Sequence, residues 1–138
     1  LRLHPHLQDL EKQWEQKESF ITSIDPKIST DELLTVTDTL VTDYSSILFD
    51  YTLLDNAHNI GLFTFDQNDF EKKVGLQRDF SDDFHAIMIT SVDQLSRFFA
   101  NPEDQKSIIM AINETWNQYN DGKAAERIID FLMKRSGF

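Results

Sequence analysis

Ser45 and Ser46 stand where a β-branched run, TLVTDY, meets the apolar stretch ILF. Adjacent serines at a strand-to-helix junction bring hydroxyl donors next to unpaired backbone N–H groups and the positive end of a helix dipole. Such a turn suits a phosphate or diphosphate without help from Lys or Arg. Plain helix capping uses the same residue type at the same place, and spacing alone leaves both roles open. Asp43 precedes the serines, and a carboxylate beside a phosphate is repulsive. Capping, a hydroxyl contact or a structural hydrogen bond is therefore expected of it. Asp50 follows within the apolar segment and needs a partner if it is buried. His4, in LRLHPHL, could offer a charged hydrogen bond to a phosphate when protonated. His6 would face the same side of an extended strand. Two imidazoles without a third His, Cys or carboxylate do not make a metal site, and none is expected. His58 and His85 have no readable partners. Lys123 and Arg127, one turn apart, could reach phosphate, but the favoured reading pairs them with Glu126 or the preceding acids.

The elements that must position these residues alternate along the chain. LRLHPHL reads as an opening strand, so the chain starts inside regular structure, as a piece of a longer protein would. Leu7, Leu10 and Trp14 fall at helical spacing, FITSI reads as a short strand, and STDELLTVTD as a short helix capped by Ser29 or Thr30. TLVT is a strand, and SSILFDYTLLD a helix apolar on most sides, hence buried. NIGLFTF and AIMIT are further strands, separated by an acid-rich connector of no assigned structure. Three helices are expected to close the chain. They are Ser91 to Phe99 opened by the capping pattern SVDQ, Pro102 to about Tyr119 with Asn101 as its cap, and GKAAERIIDFLMKR from Gly122. This alternation implies an α/β fold: a Rossmann-like, mostly parallel sheet with helices on both faces. Ligands of such sheets sit at the carboxyl ends of the strands, where Ser45 and Ser46 fall.

Composition narrows the function further. The 138 residues make a single domain, 1–138, with 40% hydrophobic residues and 11 Phe to fill its core. A formal charge of −11 with only 13 Lys and Arg argues against nucleic acid, which needs clustered cations, and against docking on an anionic membrane. No apolar run reaches the ~20 residues of a spanning helix, and no signal peptide is visible. The absence of cysteine excludes disulfides, thiolate zinc and cysteine nucleophiles, and fits a reducing compartment.

The residues carry more than their spacing. TDTLVTDYSSILFDYTLLD closely resembles the signature of the CDP-glycerol glycerophosphotransferase family, in which a strand ends in T/S-D-Y-S-S and an Asp follows four residues after the second serine, here Asp50. LRLHPHL looks like the family's upstream strand ending in His-Pro, and WNQYNDGKAAERIIDFL resembles its closing helix with a D-G-K-A-x-E-R start. The resemblance spans nearly the whole chain but only the later part of the family's nucleotide-binding domain. It implies a GT-B enzyme of two Rossmann-like domains, of which this chain is a partial C-terminal domain that binds the CDP donor. Such enzymes move glycerol phosphate, or ribitol phosphate, from a CDP-activated polyol to a teichoic acid-type wall polymer at the inner face of the membrane. That places the full-length protein in the cytoplasm, peripheral to the membrane through its other parts. By motif matching, His4 lies near the donor phosphates as the catalytic residue, Ser45 and Ser46 bind the diphosphate, and Asp43 and Asp50 belong to the substrate site. The CDP donor is a substrate, and no cofactor is implied. The acceptor polymer and the base that activates it belong to the missing N-terminal domain, so the fragment alone is expected to be inactive.

Two departures qualify the donor. NAHNIGLFTFD lacks the family's Lys/Arg-Pro step, though FTFD survives to Asp66, and VGLQRDFSDDFHAIMIT replaces an aromatic and Pro-Gly segment. Two other classes stay open. One is a UDP-sugar GT-B glycosyltransferase or epimerase-like domain. The other is a non-catalytic receiver-like module with Asp43 as phosphate acceptor, although no acidic pair or later Lys completes such a site.

Overall fold

The computed structural model describes residues 8–19, 21–76, 80–101 and 103–136. The segment LRLHPHL, expected from its sequence to open the chain as a strand and carrying His4 and His6, lies outside them. The chain divides into two compact units, Leu1–Thr35 and Val36–Phe138.

The first unit holds helix α1 (Gln8–Lys17) and helix α2 (Thr30–Leu34). Ser29 caps α2 through a reciprocal capping box: the Glu32 amide donates to Ser29 Oγ at 3.1 Å, and the Ser29 amide donates to Glu32 Oε2 at 2.8 Å. Between the helices, where FITSI is expected as a strand, residues 21–25 are not in a strand, and Phe20 lies outside the described residues. The Ser23 hydroxyl donates to Glu15 Oε2 at 2.5 Å and the Ser23 amide to Glu15 Oε1 at 3.1 Å, tying this segment to α1. These hydrogen bonds, the hydroxyl's first and then the amide's, hold the Glu15 carboxyl below its ordinary range.

The second unit is an α/β sheet of three parallel strands in the order β1 (Thr39–Thr42), β2 (Asn59–Phe63) and β3 (Met88–Ile89). Leu40 aligns with Ile60 and Thr42 with Leu62 across the first pair. β2 is central, and its Ile60 and Leu62 are fully buried, the outcome expected for an apolar strand covered on both faces. Only two residues of AIMIT enter the sheet, because His85–Ile87 coil into a 3₁₀ turn. Where β3 has not begun, Gln105 takes its place along β2. Its Oε1 accepts from the Ile60 amide at 2.7 Å, and its own amide donates to the His58 carbonyl at 3.3 Å.

The helices of this unit follow the strands. Helix α3 (Ile47–Thr52) leaves β1, and the connector unassigned from sequence contains α4 (Gln67–Lys73) and α5 (Phe80–Phe84). Gly75, at φ +93, ends α4 with its amide donating to the Phe70 carbonyl, a left-handed stop that glycine adopts without steric cost. Helix α6 (Val92–Ala100) is capped by Ser91, whose Oγ accepts from the Gln94 amide at 3.3 Å, as the SVDQ pattern predicts. Helix α7 runs Lys106–Trp116, not from Pro102 to Tyr119. Asn101 is the C-cap of α6 rather than an N-cap, and α7 begins only after Gln105, which is held on the β2 edge. At its other end Asn117 turns its amide onto the Phe49 carbonyl and Thr52 Oγ1, both at 3.2 Å, which stops α7 and ties it to α3. Helix α8 (Ala124–Ser136) follows Gly122, at φ +72.

Candidate functional site

Three parallel strands place all their carboxyl ends at one edge, and the β1 exit carries Asp43, Tyr44, Ser45 and Ser46 there. Asp43, Ser45 and Ser46 are exposed. Ser46 occupies the N-cap of α3 with φ −65 and ψ −10, and its side chain makes no capping hydrogen bond. Ser45 Oγ accepts from the Ile47 amide at a long 3.4 Å. Among the described residues the Ser45 and Ser46 amides donate to nothing, so two N–H groups and two hydroxyls remain available at this turn.

What keeps them in place is the buried body of α3. Leu48, Tyr51 and Thr52 are buried, and the ring of Phe49 lies 5.1 Å from Trp116 and 6.0 Å from Phe84. Tyr51 donates its hydroxyl to the Asp38 carbonyl at 2.7 Å and accepts from the His58 amide at 3.3 Å, and burial pushes its phenol up. The helix is only six residues long, ending at Thr52 rather than Asp55. Thr52 Oγ1 folds back onto the Phe49 carbonyl at 2.8 Å, a side-chain bond that competes with helix continuation. Asp50 is exposed and stands one turn beyond Ser46 on this helix, so it needs no buried partner.

The residue sequence reasoning passed over is Tyr44. Its ring stacks on Phe70 of α4 with centroids 3.8 Å apart and planes at 17°, and Phe80 lies 6.0 Å away. Its hydroxyl donates to Asp66 Oδ1 at 3.0 Å, joining the β1 exit to the β2 exit. Burial first, then the Asp66 hydrogen bond and the Asp66 and Asp43 charges, push the Tyr44 phenol from 10.0 up to about 12. Folding favours the neutral phenol, so its contribution to stability is complete below pH 10.0 and lost as pH rises through about 12. A near-ultraviolet titration should show late-ionising phenols, and Tyr44→Phe should lower that late amplitude by one tyrosine, leaving the contribution of Tyr51. Ionisation together with unfolded tyrosine would contradict it.

Arg127 takes the structural role expected of it: its Nη1 lies 2.8 Å from Asp121 Oδ2, and its guanidinium lies over the Tyr119 ring. Among the described residues no group of three or more His, Asp or Glu is placed to hold a metal ion. Nor, among those residues, is any helix long and apolar enough to cross a membrane. His4 falls outside the described residues, so its place relative to the serines is not part of this geometry.

A three-stranded parallel sheet with helices joining its strands is the arrangement of a Rossmann-like α/β domain fragment. The chain belongs to the CDP-glycerol:poly(glycerophosphate) glycerophosphotransferase family, whose sequence model matches residues 1–134. It is 26% identical over 137 residues to the teichoic acid ribitol-phosphate primase of Bacillus spizizenii, covering 96% of this chain and 33% of that protein. It is 31% identical over 102 residues to the teichoic acid poly(ribitol-phosphate) polymerase of the same organism, covering 74% and 16% respectively. The teichoic acid glycerol-phosphate primase of Bacillus subtilis is 25% identical over 143 residues, covering 96% and 33%. The chain thus spans a third or less of the length of these curated relatives. No solved structure matches it.

Proposed function

We propose that this chain is the donor-binding part of a GT-B transferase that moves glycerol phosphate or ribitol phosphate from a CDP-activated polyol to a teichoic acid-type polymer. The observation that carries the reading is the open Ser45–Ser46 turn at the β1 exit, fixed from behind by the buried side of α3. In the reaction an acceptor hydroxyl attacks the β-phosphorus of the donor, the bond to the bridging oxygen breaks, and CMP leaves with the charge. Such a displacement depends on positioning and on stabilising charge more than on covalent help from the protein. The Ser45 and Ser46 hydroxyls and their free amides hold the diphosphate, neutral donors suiting a turn that contains no cation. His4 donates to the leaving CMP phosphate. Asp43 and Asp50 flank the site as acceptors for donor hydroxyls rather than phosphate contacts. The base and the polymer belong to the rest of the enzyme, which works in the cytoplasm, peripheral to the inner face of the membrane.

Calorimetry of the chain with CDP, UDP and CMP tests the reading. CDP is expected to bind most tightly, with CMP weakened by loss of the second phosphate and UDP by the wrong base. Preference for UDP would move the protein to the sugar-transferase class, and no nucleotide binding at all would favour a non-catalytic module.

A further inference from the structure

We propose that Tyr44 and Asp66 are a positioning pair that sets the geometry of the Ser45–Ser46 turn, an inference that rests on the donor-binding reading of that turn. Tyr44 immediately precedes the serines, so whatever fixes its backbone fixes theirs. Its ring is held at two places. Phe70 covers one face at 3.8 Å, and Asp66 Oδ1 takes the hydroxyl at 3.0 Å. A side chain gripped at face and tip loses its rotameric freedom, and its main chain goes with it.

Asp66 gives up an ordinary role to make this contact. It occupies the N-cap of α4, where an aspartate carboxylate normally accepts from the first-turn amides, yet it makes no capping hydrogen bond. The carboxylate faces Tyr44 instead, 22 residues away in sequence. The two residues leave adjacent strands whose ends align, Thr42 with Leu62, so the bond spans neighbouring exits of the sheet.

The serine turn gains from such an external brace because it holds itself weakly at Ser45, although the Ser46 carbonyl accepts from the Phe49 amide at an ordinary 3.0 Å. The Ser46 side chain makes no cap bond, and the two contacts closing the turn at Ser45 are both long, Ile47 amide to Ser45 Oγ and Leu48 amide to Ser45 carbonyl at 3.4 Å each. Tyr44 does not touch the donor in this account. It acts through the serines, and its hydroxyl matters separately from its ring, because the ring alone keeps the stack on Phe70.

Tyr44→Phe removes the hydroxyl and keeps the stack, and Asp66→Ala removes the same bond from the other side. Two readouts are taken on the chain: CDP affinity by calorimetry, and hydrogen exchange at the Leu48 and Phe49 amides, whose acceptors are the Ser45 and Ser46 carbonyls. Each variant is expected to weaken CDP about tenfold, the worth of one hydrogen bond to a charged group, with the double variant no weaker than the stronger single. Exchange at both amides should accelerate by more than the fall in global stability, read from the thermal midpoint, explains. Weaker binding with unchanged exchange would mean that Tyr44 contacts the ligand directly, and it overturns the pair as a positioning device. Faster exchange with unchanged affinity overturns it as well. If the wild-type chain binds no CDP, the donor reading fails, and the exchange measurement alone decides whether the pair sets the turn.

Discussion

Replacing Ser45 and Ser46 together by alanine is expected to abolish measurable CDP binding while leaving thermal unfolding nearly in place. A hydrogen bond to a charged phosphate contributes roughly 1.5–3 kcal/mol, so losing two lowers affinity by about a hundredfold to ten-thousandfold. The stability side is small for reasons visible at the turn. Ser46 makes no capping bond, and the Ser45 contact to the Ile47 amide is 3.4 Å long. Removing both hydroxyls therefore costs less than the ~1 kcal/mol of a typical cap. Calorimetry and a thermal melt on the same preparation separate the two quantities. A large drop in melting temperature with CDP affinity intact would assign the serines to capping and end the donor proposal.

Phe84→Ala should behave in the opposite way, with stability failing first. Phe84 is 1% exposed, and its ring lies 5.5 Å from Trp116, 6.0 Å from Phe49 and 5.2 Å from Phe80. Truncating a buried phenylalanine costs about 3–5 kcal/mol through lost transfer energy and the cavity left behind. That is a large share of the roughly 5–15 kcal/mol that holds a domain folded. The cluster is also the anchor of α3, because Phe49 belongs to that helix and Trp116 to α7. Any CDP affinity that survives in the variant should therefore be reduced as well. Denaturant titration measures the cost, and a loss under about 1 kcal/mol would show that the site relaxes without the ring.

The parts of the fold legible in the sequence are those written in local signals. TLVT and NIGLF are short β-branched or apolar runs, and they form β1 and β2. Ser29 and Ser91 sit three residues before the amides they cap, so their helices could be read from a four-residue window. The illegible parts depend on partners distant in the chain. Nothing near Gln105 indicates that its side chain would be taken by Ile60, 45 residues earlier, and this delays α7. The early stop of α3 has a local cause in Thr52 on the Phe49 carbonyl and a distant one in Asn117, 68 residues beyond Phe49.

The site divides along the same line. A serine pair between a strand and an apolar helix is a local pattern, and its exposed place at the β1 exit follows from it. The Tyr44–Asp66 contact is not local. Asp66 was noticeable only as the end of FTFD, and no spacing rule joins it to a tyrosine on another strand.

Gln105 has one more effect on the molecule. A strand whose neighbour is only two residues long leaves a stretch of backbone amide and carbonyl groups open to any extended chain that drifts against it. Here the Ile60 amide and the His58 carbonyl are already taken, by a side chain and by an amide of the same residue. A foreign strand would have to evict the glutamine before it could add to the sheet at this point, so one residue guards the protein against self-association through its most hydrophobic strand.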